Sequence, residues 1–151
     1  MLVALGNDHR GLELKQSILS YLIDSGYRCN DFGCYDTGSV DYPDIAKAVA
    51  AVVSSGDYDY GILICGTGIG MSIAANKIGG VRAALCRGIF DVQRARQHND
   101  ANILCLGQEI TVQSLACEMT KYFLATSFDG GRHLQRLKKI HSLETYFLDN
   151  K

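Results

Sequence analysis

The sequence predicts an α/β protein in three layers, a five-stranded parallel sheet with helices on both faces. Short apolar, β-branched runs of strand length alternate with stretches of helical periodicity along the whole chain. Those apolar runs are too short to cross a membrane as helices. At 151 residues the chain makes one domain, long enough to bury a full core.

The elements follow in order. Met1–Gly6 reads as a buried strand, broken by Asn7-Asp8-His9-Arg10-Gly11. Leu14, Ile18, Leu19, Leu22 and Ile23 fall at helical spacing, and Gly26 stops that helix. Tyr27–Phe32 is a more mixed strand, placed nearer a sheet edge, and Gly33–Asp41 is a loop. Pro43, the one proline, suits the first turn of a helix buried through Ile45, Val49, Val52 and Val53. The central strand spans Tyr60–Cys65, and a helix runs from near Gly70 to Gly79-Gly80. Val81–Cys86 is a fourth strand, and a helix with Phe90, Val92 and Ala95 leads to Gln97-His98-Asn99-Asp100. Asn102–Leu106 is a fifth strand, and the next helix carries Val112, Leu115, Ala116, Met119 and Phe123. Right-handed crossovers leave few topologies, of which a Rossmann-like sheet in flavodoxin-like order, 2-1-3-4-5, is the commonest fit. Ligands of such sheets bind at the carboxyl ends of the strands, here between strands one and three. The Gly6–Gly11 and Cys65–Gly70 loops would then lie side by side.

The last helix, about residues 132–149, is two-sided. Leu134, Leu137 and Leu148 share one face; Ile140, Leu143 and Phe147 are rotated away from it. That pattern fits packing on a second subunit, or burial within its own domain.

Charges nearly cancel, 15 basic against 16 acidic, which excludes a field strong enough for non-specific nucleic-acid or membrane-surface binding. The N-terminus carries no basic-then-apolar signal region, so the expected location is cytoplasmic. None of the six cysteines forms a C-x-x-C pair, which weakens zinc-ribbon and thioredoxin-type readings, and none needs a disulfide in a reducing cytosol.

The chemistry concentrates in Ile64-Cys65-Gly66-Thr67-Gly68-Ile69-Gly70, where an apolar strand delivers a thiol to a glycine turn that opens a helix. Orphan amides at such a turn favour an anion, and the same field raises the thiolate fraction of a nearby cysteine. The turn matches neither the G-x-G-x-x-G dinucleotide fingerprint nor a Walker A loop. A thiolate at Cys65 could take a proton from carbon beside a carbonyl, with the loop amides holding the enolate oxygen and Thr67 helping to move the proton. Each piece also has a plainer reading. The glycines can form a connection without a ligand, and Cys65 can be a small core hydrophobe. Asp8 can be an N-cap beside a surface His9, and His98-Asn99-Asp100 a polar turn. Arg132 and Arg136, spaced i,i+4, make either a phosphate clamp or a solvated face.

Taken together, Gly6-Asn7-Asp8-His9, Asp41-Tyr42-Pro43, the Ile64–Gly70 turn, Ala75-Asn76-Lys77, Arg96–Asp100 and Gly130-Gly131-Arg132-His133-x-x-Arg136 closely resemble the ribose-5-phosphate isomerase B family. The resemblance covers nearly the whole chain and extends to a wider group that includes galactose-6-phosphate isomerase subunits. It implies a single sugar-phosphate isomerase domain over residues 1–151. The implied reaction interconverts ribose 5-phosphate and ribulose 5-phosphate through an enediol, without metal or organic cofactor. Cys65 would remove the C2 proton, Thr67 would assist transfer between O1 and O2, and the Gly66, Gly68, Ile69 and Gly70 turn would stabilise the enediolate. His98 with Asp8 would open the furanose ring, Tyr42 and Asn99 would hold hydroxyls, and His9, Arg132 and Arg136 would take the phosphate. The resemblance further implies a homodimer, sometimes a tetramer, with shared sites. One position departs. Many relatives carry an arginine just after the fifth strand, where this chain has Glu109, so either Glu109 points away or the substrate differs. An isomerase of allose or galactose 6-phosphate, and a non-catalytic phosphosugar or nucleotide sensor, are the alternative readings.

Overall fold

The computed structural model describes residues 1–149, and side chains as far as Glu144. Phe147 and Leu148 of the expected two-sided helix therefore lie outside the described side chains. The chain runs β1 (Leu2–Asn7), α1 (Leu12–Asp24), β2 (Arg28–Asp31), α2 (Tyr42–Ser54), β3 (Tyr60–Cys65), α3 (Ile69–Ala75), β4 (Ala83–Leu85), α4 (Ile89–Asn99), β5 (Ile103–Gly107), α5 (Gln113–Ala125) and α6 (Arg132–Asp149). All strand pairs are parallel, and one core cluster lies on each face of the sheet.

Strand periodicity builds the layers, because alternate side chains point to opposite faces. Leu5, Ile62, Ile64 and Leu104 pack with Leu14, Val92 and Phe123 of α1, α4 and α5. Ala4, Leu63, Cys65 and Cys105 pack with Val49 and Met71 of α2 and α3. Cys65 therefore faces the α2/α3 layer, as its parity along β3 requires.

The class is as expected, but the strand order differs at one edge. The sheet runs β2-β1-β3-β5-β4, not 2-1-3-4-5. All five residues of β5 are buried, whereas the three of β4 are only half-buried. The longer apolar run takes the interior place, where both edges are paired and both faces covered. The outer edge of β4 is met by the Asn76 side chain, which accepts from the Ala83 N–H at 2.9 Å and donates to the Ala83 carbonyl at 2.8 Å. Asn76 also donates to the Ser72 carbonyl at 2.9 Å, closing α3 earlier than the Gly79-Gly80 stop expected from sequence.

Beside β1 and β3 the expectation holds. The Asp8 N–H donates to the Ile64 carbonyl at 3.1 Å, so the two loops named from sequence are neighbours. No described helix is long and apolar enough to cross a membrane.

Candidate active site

At the carboxyl end of β3 the chain turns under Thr67 into Gly68, whose φ of 75° is left-handed and suits glycine. That turn aims the Gly68 N–H at Cys65, and Sγ accepts it at 3.1 Å. The Ile69 N–H donates to Thr67 Oγ1 at 3.4 Å. The loop is gripped from β5: a Cβ on Gly107 would lie 2.6 Å from the Thr67 carbonyl carbon, so only a glycine permits this approach. Cys65 is 6% exposed, a thiol at the lip of the α2/α3 core rather than in open solvent.

The neighbouring loops bring in three more of the expected residues. Asp8 is buried, and its Oδ1 accepts the Arg10 N–H at 2.9 Å, so it closes a turn. It does not cap α1, whose N-cap is Gly11. His9 accepts the Val40 N–H at Nδ1 (3.4 Å), which leaves Nε2 for a ligand. The Tyr42 ring lies over Gly70, where a Cβ would come within 2.6 Å of it. The loop that carries Val40 and leads to Tyr42 is anchored by buried Lys15, whose Nζ donates to Asp31 Oδ2 and to the Cys34 carbonyl, both at 2.7 Å. Lys15 belongs to no motif; its signal in the sequence is a lysine on the apolar stripe of Leu14, Ile18 and Leu22.

The remaining expected residues are elsewhere. His98 and Asn99 end α4 and precede β5, whose register pairs Ile103 with Gly61 and Gly107 with Cys65. They therefore stand at the amino end of the sheet, at least four residues of strand rise, about 13 Å, from the thiol. Arg96 fixes this end. Its guanidinium donates to Asp100 Oδ1 (2.8 Å), to the Ala101 carbonyl (2.7 Å) and to the Tyr60 hydroxyl (3.0 Å) at the start of β3. Arg82 donates to Asp100 Oδ2 at 3.1 Å, so Asp100 serves as a structural clamp.

Gly130 and Gly131, with φ of 65° and 54°, turn the chain into α6 at the same end. His98 stacks on His133, with centroids 4.3 Å apart and planes within 6°. Burial holds the His133 imidazole below the ordinary histidine range; His98, Arg132 and Arg136 push the same way, and Asp129 opposes them. Arg132 and Arg136 are exposed and form no ion pair with the described residues. Donor atoms of His98, Asp129 and His133 lie within 4.8 Å of one another, a cluster of metal-ligand type. Its near-parallel rings place their in-plane lone pairs side by side rather than converging on one point, and the two arginines oppose a cation.

The expected site residues thus fall into two groups. The thiol, the amide turn, Asp8, His9 and Tyr42 stand at one end, and His98, Asn99, Arg132 and Arg136 at the other. Around the first, Tyr42, Ile69 and Ile73 are exposed; around the second, Leu134, Ile140 and Leu143.

Residues 3–140 match the family model described as Ribose/Galactose Isomerase. The chain is 42% identical over 142 residues to ribose-5-phosphate isomerase B of Escherichia coli, covering 94% of this chain and 95% of that protein. Among solved structures, ribose-5-phosphate isomerase B of Clostridium thermocellum superposes with a TM-score of 0.96 at 46% identity, covering 97% of this chain and 99% of the other. That of Mycoplasma genitalium, solved with bound ribulose 5-phosphate, gives a TM-score of 0.91 at 41% identity, covering 96% and 97%.

Proposed function

Because the chain belongs to the ribose/galactose isomerase family, we propose that it interconverts ribose 5-phosphate and ribulose 5-phosphate through an enediol. The observation that carries this reading is the Cys65–Gly70 turn, which sets a sulfur against backbone N–H donors at the end of the central strand. Aldose–ketose isomerisation moves one proton between adjacent carbons, so it calls for a base and for donors to the oxygen that gains charge. Cys65 is the base at C2, Thr67 passes the proton between O1 and O2, and the Gly66, Gly68, Ile69 and Gly70 amides hold the enediolate. Nothing in this scheme requires a metal or an organic cofactor.

The site is completed by a second copy of the chain. Ring opening needs His98 within hydrogen-bonding reach of a sugar lying on Cys65, and no rotamer crosses the depth of the sheet. A two-fold dimer laying the α6 end of each copy on the α3 end of the other would build two equal sites and cover both sets of exposed apolar side chains. In it His98 of one copy opens the furanose ring with Asp8 of the other, and Tyr42 and Asn99 hold hydroxyls. His9 with Arg132 and Arg136 of the second copy takes the phosphate, using bidentate guanidinium contacts. The described cysteines, all free, fit a reducing compartment, the cytoplasm.

Incubating the purified chain with ribose 5-phosphate in excess chelator and following ketose formation tests the reaction. Turnover at the chelator-free rate is expected. A chain that leaves ribose 5-phosphate unchanged but isomerises a six-carbon phosphosugar would move the assignment to that substrate.

A further inference from the structure

We propose that Arg10 is an additional anion-binding residue of this site, held over the mouth of the Cys65–Gly70 loop by Glu109. The inference rests on the phosphosugar reading above and names a recognition group that the reading lacks. Arg10 directly follows His9, and its backbone N–H is fixed on Asp8 Oδ1 at 2.9 Å. From there its guanidinium reaches Glu109, with Nη2 to Oε1 at 3.0 Å. Glu109 is itself pinned to the loop it overlooks. Its N–H donates to the Gly66 carbonyl at 3.0 Å, and that of Gln108 to the Cys65 carbonyl at 2.9 Å. A Cβ built on Gly66 would lie 2.8 Å from Glu109 Oε1 and 3.6 Å from Arg10 Cδ, so the ion pair spans the residue immediately after the thiol.

A lone carboxylate at that place would repel both a phosphate dianion and an enediolate oxygen. Pairing with Arg10 cancels the charge and leaves something more useful. A guanidinium carries five N–H donors in a planar fork, and one contact to Glu109 leaves the other donors to serve a second anion. The Arg10 side chain is 64% exposed, so its free edge is open to a ligand seated between His9 and the amide turn. Glu109 acts through Arg10, as a positioning residue that reduces the side-chain entropy lost when an anion binds.

The test is a cycle of Arg10→Ala, Glu109→Gln and the double variant on the full-length protein. It is read by calorimetric titration with inorganic phosphate and by KM and kcat for ribose 5-phosphate. Arg10→Ala should weaken phosphate binding and raise KM by about tenfold or more, with kcat within about threefold of the parent. Glu109→Gln should weaken binding when Arg10 is present and strengthen it in the Arg10→Ala background, where it removes an uncompensated charge. An exposed pair of no consequence would leave phosphate affinity and KM unchanged in every variant, and that result overturns the proposal. Tighter binding by Glu109→Gln with Arg10 in place overturns the positioning role. If the parent protein turns over no ribose 5-phosphate, the isomerase reading fails, while the phosphate titrations still decide the role of Arg10.

Discussion

Two of the six thiols accept an N–H at sulfur, Cys65 from the Gly68 backbone at 3.1 Å and Cys34 from the Asn7 side chain at 3.3 Å. Burial pushes Cys29 up to about 11 and Cys86 to about 12, and holds Cys105 well above the ordinary thiol range. Those three are small hydrophobes near neutral pH, whereas Cys65 Sγ has a backbone N–H donor. Cys65→Ala should lower kcat by about a thousandfold or more, on the scale of a lost general base, while inorganic phosphate still binds. An alanine variant with near-parental kcat removes the sulfur from the mechanism. His133 carries a second expectation at this scale. A histidine held low binds a proton more readily in the unfolded chain, so acidification favours unfolding. The stability involved is complete above the usual histidine value of 6.5 and falls away as pH drops from there through the lowered folded value. His133→Gln should therefore lose less Tm than the parent between about pH 7.5 and about pH 5.5; parallel losses would contradict the assignment.

At the scale of elements, two loops at the carboxyl edge are held by different devices. Hydrogen bonds from the β5–α5 turn and glycine packing hold the Cys65–Gly70 loop. The loop between β2 and α2 relies on Lys15, whose side chain is 3% exposed and pairs with Asp31 at 17%. Removing one partner of a buried pair leaves the other charge uncompensated, which costs far more than the pair itself contributes. Lys15→Met should destabilise the protein by about 3 kcal/mol, at the lower end of the range because Asp31 keeps some solvent. Urea unfolding reads this directly, and a loss below about 1 kcal/mol would mean that the loop is held by other contacts. Because Lys15 also grips the Cys34 carbonyl, the same change should loosen the approach to Tyr42 and raise KM.

For the molecule as a whole, the proposed dimer would draw each site from the two opposite ends of the sheet. Co-expressing Cys65→Ala and His98→Ala chains gives a clean expectation. In a mixed dimer, one site inherits both lesions and the other inherits neither. Random assortment makes about half of the dimers mixed, so the preparation should recover about a quarter of parental activity from two nearly inactive parents. No recovery, with dimer exchange verified, would place each complete site within one chain.

Much of the fold was legible because it is written locally. Apolar runs of strand length, helical periodicity and punctuating glycines located the strands and helices, and the apolar run from Tyr60 ended at Cys65 as β3 does. The adjacency of the Gly6–Gly11 and Cys65–Gly70 loops followed from topology rules alone. Other features depended on competition between distant segments. Which of β4 and β5 lies inside was settled by their relative burial once packed. Lys15 and Asp100 became structural only when Asp31, Arg82 and Arg96 met them in space. The sequence by itself singled out the candidate residues, because residue type and local turn geometry are properties of short stretches. Only the tertiary structure decided that they stand at opposite ends of one sheet, because that separation is the length of the strands between them.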